Sequence, residues 1–211
     1  MKLFTTLGLL AGLATIAAAD TIVFKGMPTG VTDGASYVMP YQITVDGVTF
    51  TVACYDNHDE VQPGDTWQAQ ILTIQEAAVS GFFSENDETA RYERIAWLSA
   101  RNYANSDQQI ALQHAIWNVF GSAYETDGSL LYEAAADNAA ATGYAGFDFS
   151  RFRFIQQAGA HAGDPGVRQA FIYTVPLPPS GGFETSTVPE PASLWLAGPA
   201  LIIAGLSRKR R

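Results

Sequence analysis

The chain has 211 residues, a formal charge of −9 and 47% hydrophobic residues, enough apolar content for a packed core, so a disordered stalk is excluded. All 21 acidic residues but only seven of the 12 basic ones lie between residues 20 and 191. So acidic a segment cannot neutralise phosphates, which excludes nucleic acid and anionic membranes as its partners.

Residues 1–19 have the parts of a secretory signal: Lys2, an apolar run from Leu3, and the small-residue site Ala17-Ala18-Ala19, which makes Asp20 the expected mature N-terminus. Residues 20–175 are then expected to form a single ectodomain. A first strand is predicted at 21–24. Strands at 41–45 and 48–54 flank Asp46-Gly47, a strong hairpin signal. Residues 55–64 read as a polar, solvated acidic loop, and 66–73 as another strand.

From residue 74 to 141 the pattern turns helical. One helix is expected over 87–102, with Tyr92, Ile95, Ala96 and Ser99 on one stripe. The next opens at Ser106, read as an N-cap with Gln109 completing a capping box. It carries Leu112, Ala115, Ile116, Val119 and Phe120 at helical spacing and stops at Gly121. A third helix is expected over 130–141, and strands over 149–156 and 168–175. The fold class is therefore expected to be α+β: β-hairpin and sheet segments with an inserted helical block. Residues 176–188 are a Pro-, Gly-, Ser- and Thr-rich linker.

The chain ends in Pro189-Glu190-Pro191, an apolar stretch from Ala192 to Leu206, and Arg208-Lys209-Arg210-Arg211. The stretch is shorter than the ~20 residues of a comfortable spanning helix, and its terminal cations belong on the cytoplasmic side. This order of parts, over residues 189–211, closely resembles the PEP-CTERM sorting signal. The resemblance implies an exosortase as partner, a transient inner-membrane anchor, and final residence on the surface or in the extracellular matrix of a Gram-negative cell.

Cys54 is the sole cysteine, so no internal disulfide is available, and a lone Cys in an exported chain points either to special thiol chemistry or to a buried structural residue. The segment from Leu112 to Trp117, with Gln113, Ala115, Ile116 and Trp117 in place, resembles the Gln-x-Ala-Ile-Trp motif of thioester domains in bacterial surface adhesins. Ala53-Cys54-Tyr55-Asp56 resembles their Cys motif, although Ala53 and Leu112 depart from the residues usual before the Cys and the Gln. The resemblance implies an internal thioester between Cys54 and Gln113, an electrophile toward a surface amine or hydroxyl on protein or polysaccharide. On the helix, Gln113 lies at the flank of the apolar stripe, and Gln109 is occupied by the cap. The alternative is a core Cys and a boundary Gln in a non-reactive structural or carbohydrate-binding matrix component.

Other chemistries fit less well. A cysteine hydrolase needs an imidazole on the thiol, but His114 falls opposite Leu112 and is expected to face solvent, and His58 sits in the acidic loop. Asp56, Asn57, His58, Asp59, Glu60 and Asp65 lack the spacing of an EF-hand calcium loop, and three scattered His with one Cys do not make a zinc site. No metal, cofactor or enzymatic activity is expected. Trp67, Trp97, Trp117 and Tyr103 suit core packing better than a sugar-binding face.

Overall fold

The computed structural model describes residues 19–83 and 89–176. Contacts divide the chain into Met1–Pro176 and Leu177–Arg211. The second unit lies wholly outside the described residues. So do the expected signal apart from Ala19, the linker apart from Pro176, and the sorting motif Pro189, Glu190 and Pro191.

Six strands form the fold's frame: β1 (Asp20–Gly26), β2 (Tyr41–Val45), β3 (Val48–Cys54), β4 (Thr66–Leu72), β5 (Phe152–Gln157) and β6 (Phe171–Thr174). The β2–β3 hairpin forms as its turn chemistry demands. Asp46 and Gly47 both take positive φ, 46° and 86°, the pair a two-residue type I′ turn needs. Val45 then sits opposite Val48 and Tyr41 opposite Val52.

The expected α+β class is corrected by the rest of the pairing. The strands form one antiparallel sheet, in the order β1-β2-β3-β6-β5-β4, which closes into a barrel as β4 pairs with β1. Local patterning identifies strands, but the pairings that close this barrel, β1 with β4 and β3 with β6, join segments far apart in sequence. Closure leaves no edge strand.

Directly paired residues share a face. Phe24, Tyr41, Trp67 and Phe171 accordingly meet inside the barrel, with ring centroids 5.7–6.3 Å apart. Ile22 and Ile43, both fully buried, fill the same interior. On the outer wall, Phe154 packs against Tyr92 and Tyr55 at 5.0 and 5.4 Å.

The helices lie in the chain between β4 and β5: α1 (Ile74–Ala78), α2 (Thr89–Ser99), α3 (Ser106–Asn118) and α4 (Asp127–Ala141). Helix α2 buries Tyr92, Ile95, Ala96 and Leu98, close to the expected stripe. The cap of helix α3 lies one residue before the expected one, and the helix itself starts at Ser106. Asn105 is the N-cap and accepts from Gln108 N at 3.0 Å, while Gln108 Oε1 accepts from Ala104 N at 2.9 Å. Gln108 thus does the work expected of Gln109, and the shift frees Gln109. Among the described residues no helix is long and apolar enough to cross a membrane.

Candidate functional site

Strand β3 carries Cys54 at its end, and α3 carries Gln113. The β2–β3 register, extended past Tyr41 and Val52, would set Met39 opposite Cys54. The β2–β3 ladder stops at Tyr41, next to Pro40, which has no backbone N–H, while the opposite edge of β3 goes on to pair Ala53 and Cys54 with Ile172 and Phe171 of β6. Gln113 fills the gap. Its Oε1 accepts from Met39 N at 3.1 Å and its Nε2 donates to Cys54 O at 2.7 Å. The side-chain amide stands in for the missing peptide contact, since an amide offers the same donor and acceptor as the backbone.

Gln109, one turn earlier, donates through Nε2 to Met39 O and to Thr29 Oγ1. Residues four apart share a helix face, so the two glutamines together hold both polar groups of Met39. Sequence reading missed Gln109 because it assigned the residue to the cap. The signal was a pair of glutamines at i and i+4 on a face otherwise apolar.

The structure therefore brings Cys54 and Gln113 together, 59 positions apart in sequence, and buries both completely. The thiol is free and donates to Asp56 O at 2.7 Å. Burial pushes its ionisation well above the usual thiol range and the Asp56 charge adds to that, while the Trp117 indole N–H pulls back part of the rise. Trp117 is buried and its Nε1 makes no hydrogen bond.

The acidic loop is solvated only in part: His58, Glu60, Gln62, Pro63 and Gly64 are exposed, but its first carboxylates are not. Asp56 and Asp59 are buried, 1% and 7% exposed. Asp56 Oδ1 accepts from His58 N at 2.9 Å and faces His58 Nδ1 at 3.2 Å. Asp59 Oδ2 accepts from Gly163 N at 3.1 Å. Burial, with the Asp59 carboxylate beside it, raises Asp56 to about 7 against the pull of the His58 backbone N–H. Among the described residues no cluster of His, Cys, Asp and Glu is arranged to hold a metal.

His114 does not face solvent either. It is 6% exposed, with Nε2 2.9 Å from Asp33 Oδ2 and its ring stacked on Tyr124 at 4.8 Å and on Trp117 at 5.8 Å. A small bridge between Thr32 and Tyr37 presents Asp33. Burial would raise the Asp33 carboxyl, but hydrogen bonds from the Ser36 and Ala35 backbone and from His114 hold it below its ordinary value. This imidazole is tied to Asp33 and not to the thiol, so a Cys–His nucleophile is not assembled.

Of the aromatics considered for sugar binding, Trp67 and Trp117 are buried. Trp97 carries the Arg101 guanidinium 4.1 Å from its ring. A groove of about 180 Å³, lined by residues including Met39, Ala53, Arg101, Tyr103 and Tyr173, opens beside the two chain segments that Gln113 bridges. A second depression of about 670 Å³ lies among α2, α3 and α4. Its polar groups bond one another: Arg94 to Asp137 and to Glu133 O, and Asn118 to Glu133.

No family model, curated protein or solved structure matches this chain.

Proposed function

We propose that this is an exported surface or extracellular-matrix protein whose barrel domain adheres covalently through an internal thioester between Cys54 and Gln113. The observation that carries the reading is the contact of the Gln113 side-chain amide with the Cys54 backbone. The lone Cys lies at the end of β3 with its backbone carbonyl 2.7 Å from the Gln113 amide nitrogen, and both residues are fully buried. In forming the bond, the thiol sulfur attacks Gln113 Cδ, the C–N bond breaks, and nitrogen leaves as ammonia with the proton the thiol gave up. Met39 N–H, 3.1 Å from Oε1, polarises the carbonyl and remains in place to hold negative charge on that oxygen. A surface amine or hydroxyl then attacks the same carbon and releases the thiol.

Export, recognition of residues 189–211 by an exosortase, and transient anchoring in the inner membrane belong to the same proposal. They rest on the terminal sequences alone. No resident cofactor or metal enters the reading, and the protein reacts once with its target and does not turn over.

A second reading has its own support. Both atoms of the Gln113 amide are used as a strand would use them, and the thiol proton has an acceptor in Asp56 O. A non-reactive matrix component needs no more than that. One experiment separates the two: the intact mass of protein recovered from the exported fraction, before and after methylamine. The thioester reading expects a chain beginning at Asp20 and lighter by one ammonia, which methylamine opens with a gain of its own mass and release of one titratable thiol. The full sequence mass with a freely titrating thiol in fresh protein would leave the structural reading.

A further inference from the structure

Trp117 is buried at 1% exposure, yet its indole N–H has no hydrogen-bond partner. An unpaired buried donor is uncommon and costs desolvation energy. Its place is specific. It lies four residues after Gln113 on α3, hence on the same helix face, and beside the Cys54 sulfur, whose ionised form it favours. In the resting state the sulfur gives its own proton to Asp56 O. A neutral thiol is a weak acceptor, so the indole N–H stays unbonded. A thiolate is a strong one.

We propose that the Trp117 N–H is the donor that holds the Cys54 sulfur whenever it carries negative charge. This rests on the thioester reading and divides its chemistry between two donors: Met39 N–H at the oxygen of Gln113 and Trp117 Nε1–H at the sulfur. During formation, sulfur loses its proton, attacks Cδ as thiolate, and the proton departs with the ammonia. During opening, the incoming amine bonds to Cδ, the C–S bond breaks, and sulfur leaves with the electron pair before taking the proton the amine nitrogen sheds. Sulfur is anionic in both directions, and both proceed more slowly without the donor.

The other ionisable groups near the sulfur make such a donor necessary. Asp56 and Asp59, on the loop after β3, both oppose a charged sulfur. Tyr41 on β2 interacts unfavourably with it when ionised. No Lys or Arg charge is among the main influences on the thiol, so a neutral donor, the Trp117 N–H, is the means of stabilising it.

The test compares the wild-type chain with Trp117→Phe, which keeps an aromatic ring and loses the N–H. Replacement by benzothienylalanine, with sulfur in place of the N–H in a ring of the same shape, covers the case in which Phe fails to fold. Three quantities are read: the fraction lighter by one ammonia, the rate of opening by methylamine, and the reactivity of the released thiol toward iodoacetamide at fixed pH. Loss of a hydrogen bond to a charged atom predicts opening slower by about tenfold or more, a thiol less reactive by a similar factor, and a smaller bonded fraction. A merely structural Trp117 would alter the melting temperature and leave thiol reactivity where it was. Wild-type opening and thiol reactivity in a folded variant overturn this proposal alone. Absence of the mass deficit in the wild type overturns the thioester reading and this one with it.

Discussion

Asp56 is a carboxyl group raised to about 7 inside a folded protein, chiefly by burial, from an ordinary value of 3.8. A carboxylic acid whose folded-state value is raised binds its proton more tightly in the native than in the unfolded chain. Its contribution to stability is complete below pH 4 and is lost as pH rises toward and through 7. The melting temperature is expected to fall between pH 5 and pH 8, by an amount corresponding to up to about 3 kcal/mol from this group. Asp56→Asn, which cannot ionise, is expected to flatten that dependence; calorimetry at the two pH values reads it, and an equal slope in both proteins would count against it. Sequence reading missed this residue for a physical reason. Five polar residues in a row suggest a solvated loop, and the local pattern cannot show that a segment 104 positions away packs on it, where Gly163 N–H donates to Asp59. His114 was misread in the same way: its helix alone turns it outward, and the loop bearing Asp33 covers it.

At the scale of elements, α3 is fastened to the barrel by two glutamines holding one residue. Removing Gln109 leaves Met39 O unpaired, at a cost of about 1–3 kcal/mol. Removing Gln113 strands both Met39 N–H and Cys54 O, so Gln113→Ala is expected to cost more than Gln109→Ala. Chemical denaturation with urea ranks the two, and the reverse order would contradict the bridging role. The stripe of α3 was legible: Leu112, Ala115 and Ile116 are buried as the period required. The cap was displaced by one residue because Asn105 and Ser106 are both good caps and are followed three residues on by Gln108 and Gln109. The β2–β3 hairpin was read to the residue, since everything that decides it lies within two positions of Asp46-Gly47.

At the scale of the molecule, closure depends on the last strand. Strand β6 has only four residues, yet it pairs with β3 on one side and β5 on the other. A chain ending at Ala170 loses both ladders and opens the barrel on the wall that carries Cys54. It is expected to lose cooperative melting, read by near-ultraviolet circular dichroism against a chain ending at Pro176. A sharp transition in the shorter chain would show that five strands suffice. The strands themselves were legible, over 48–54, 149–156 and 168–175, but the pairing of β6 with β3 and β5 was not, because local pattern does not say which strands lie side by side. Cys54 and Gln113, by contrast, were singled out in the sequence through resemblance, and they meet where α3 lies against the end of β3.

The 59-position separation of Cys54 and Gln113 carries a topological consequence. A bond between them makes a macrocycle of the chain that threads through β4, α1 and α2. By the loop-entropy argument for cross-links, a ring of this size restricts the unfolded chain by about 4 kcal/mol. On the proposed thioester reading, transfer of the Gln113 acyl group to an outside amine would cut the ring as it tied the domain to its target. The unreacted domain would then be the more robust of the two forms. Capture would exchange a constraint on the protein's own denatured ensemble for a tether to something else, and the attached domain would be the easier of the two to unfold.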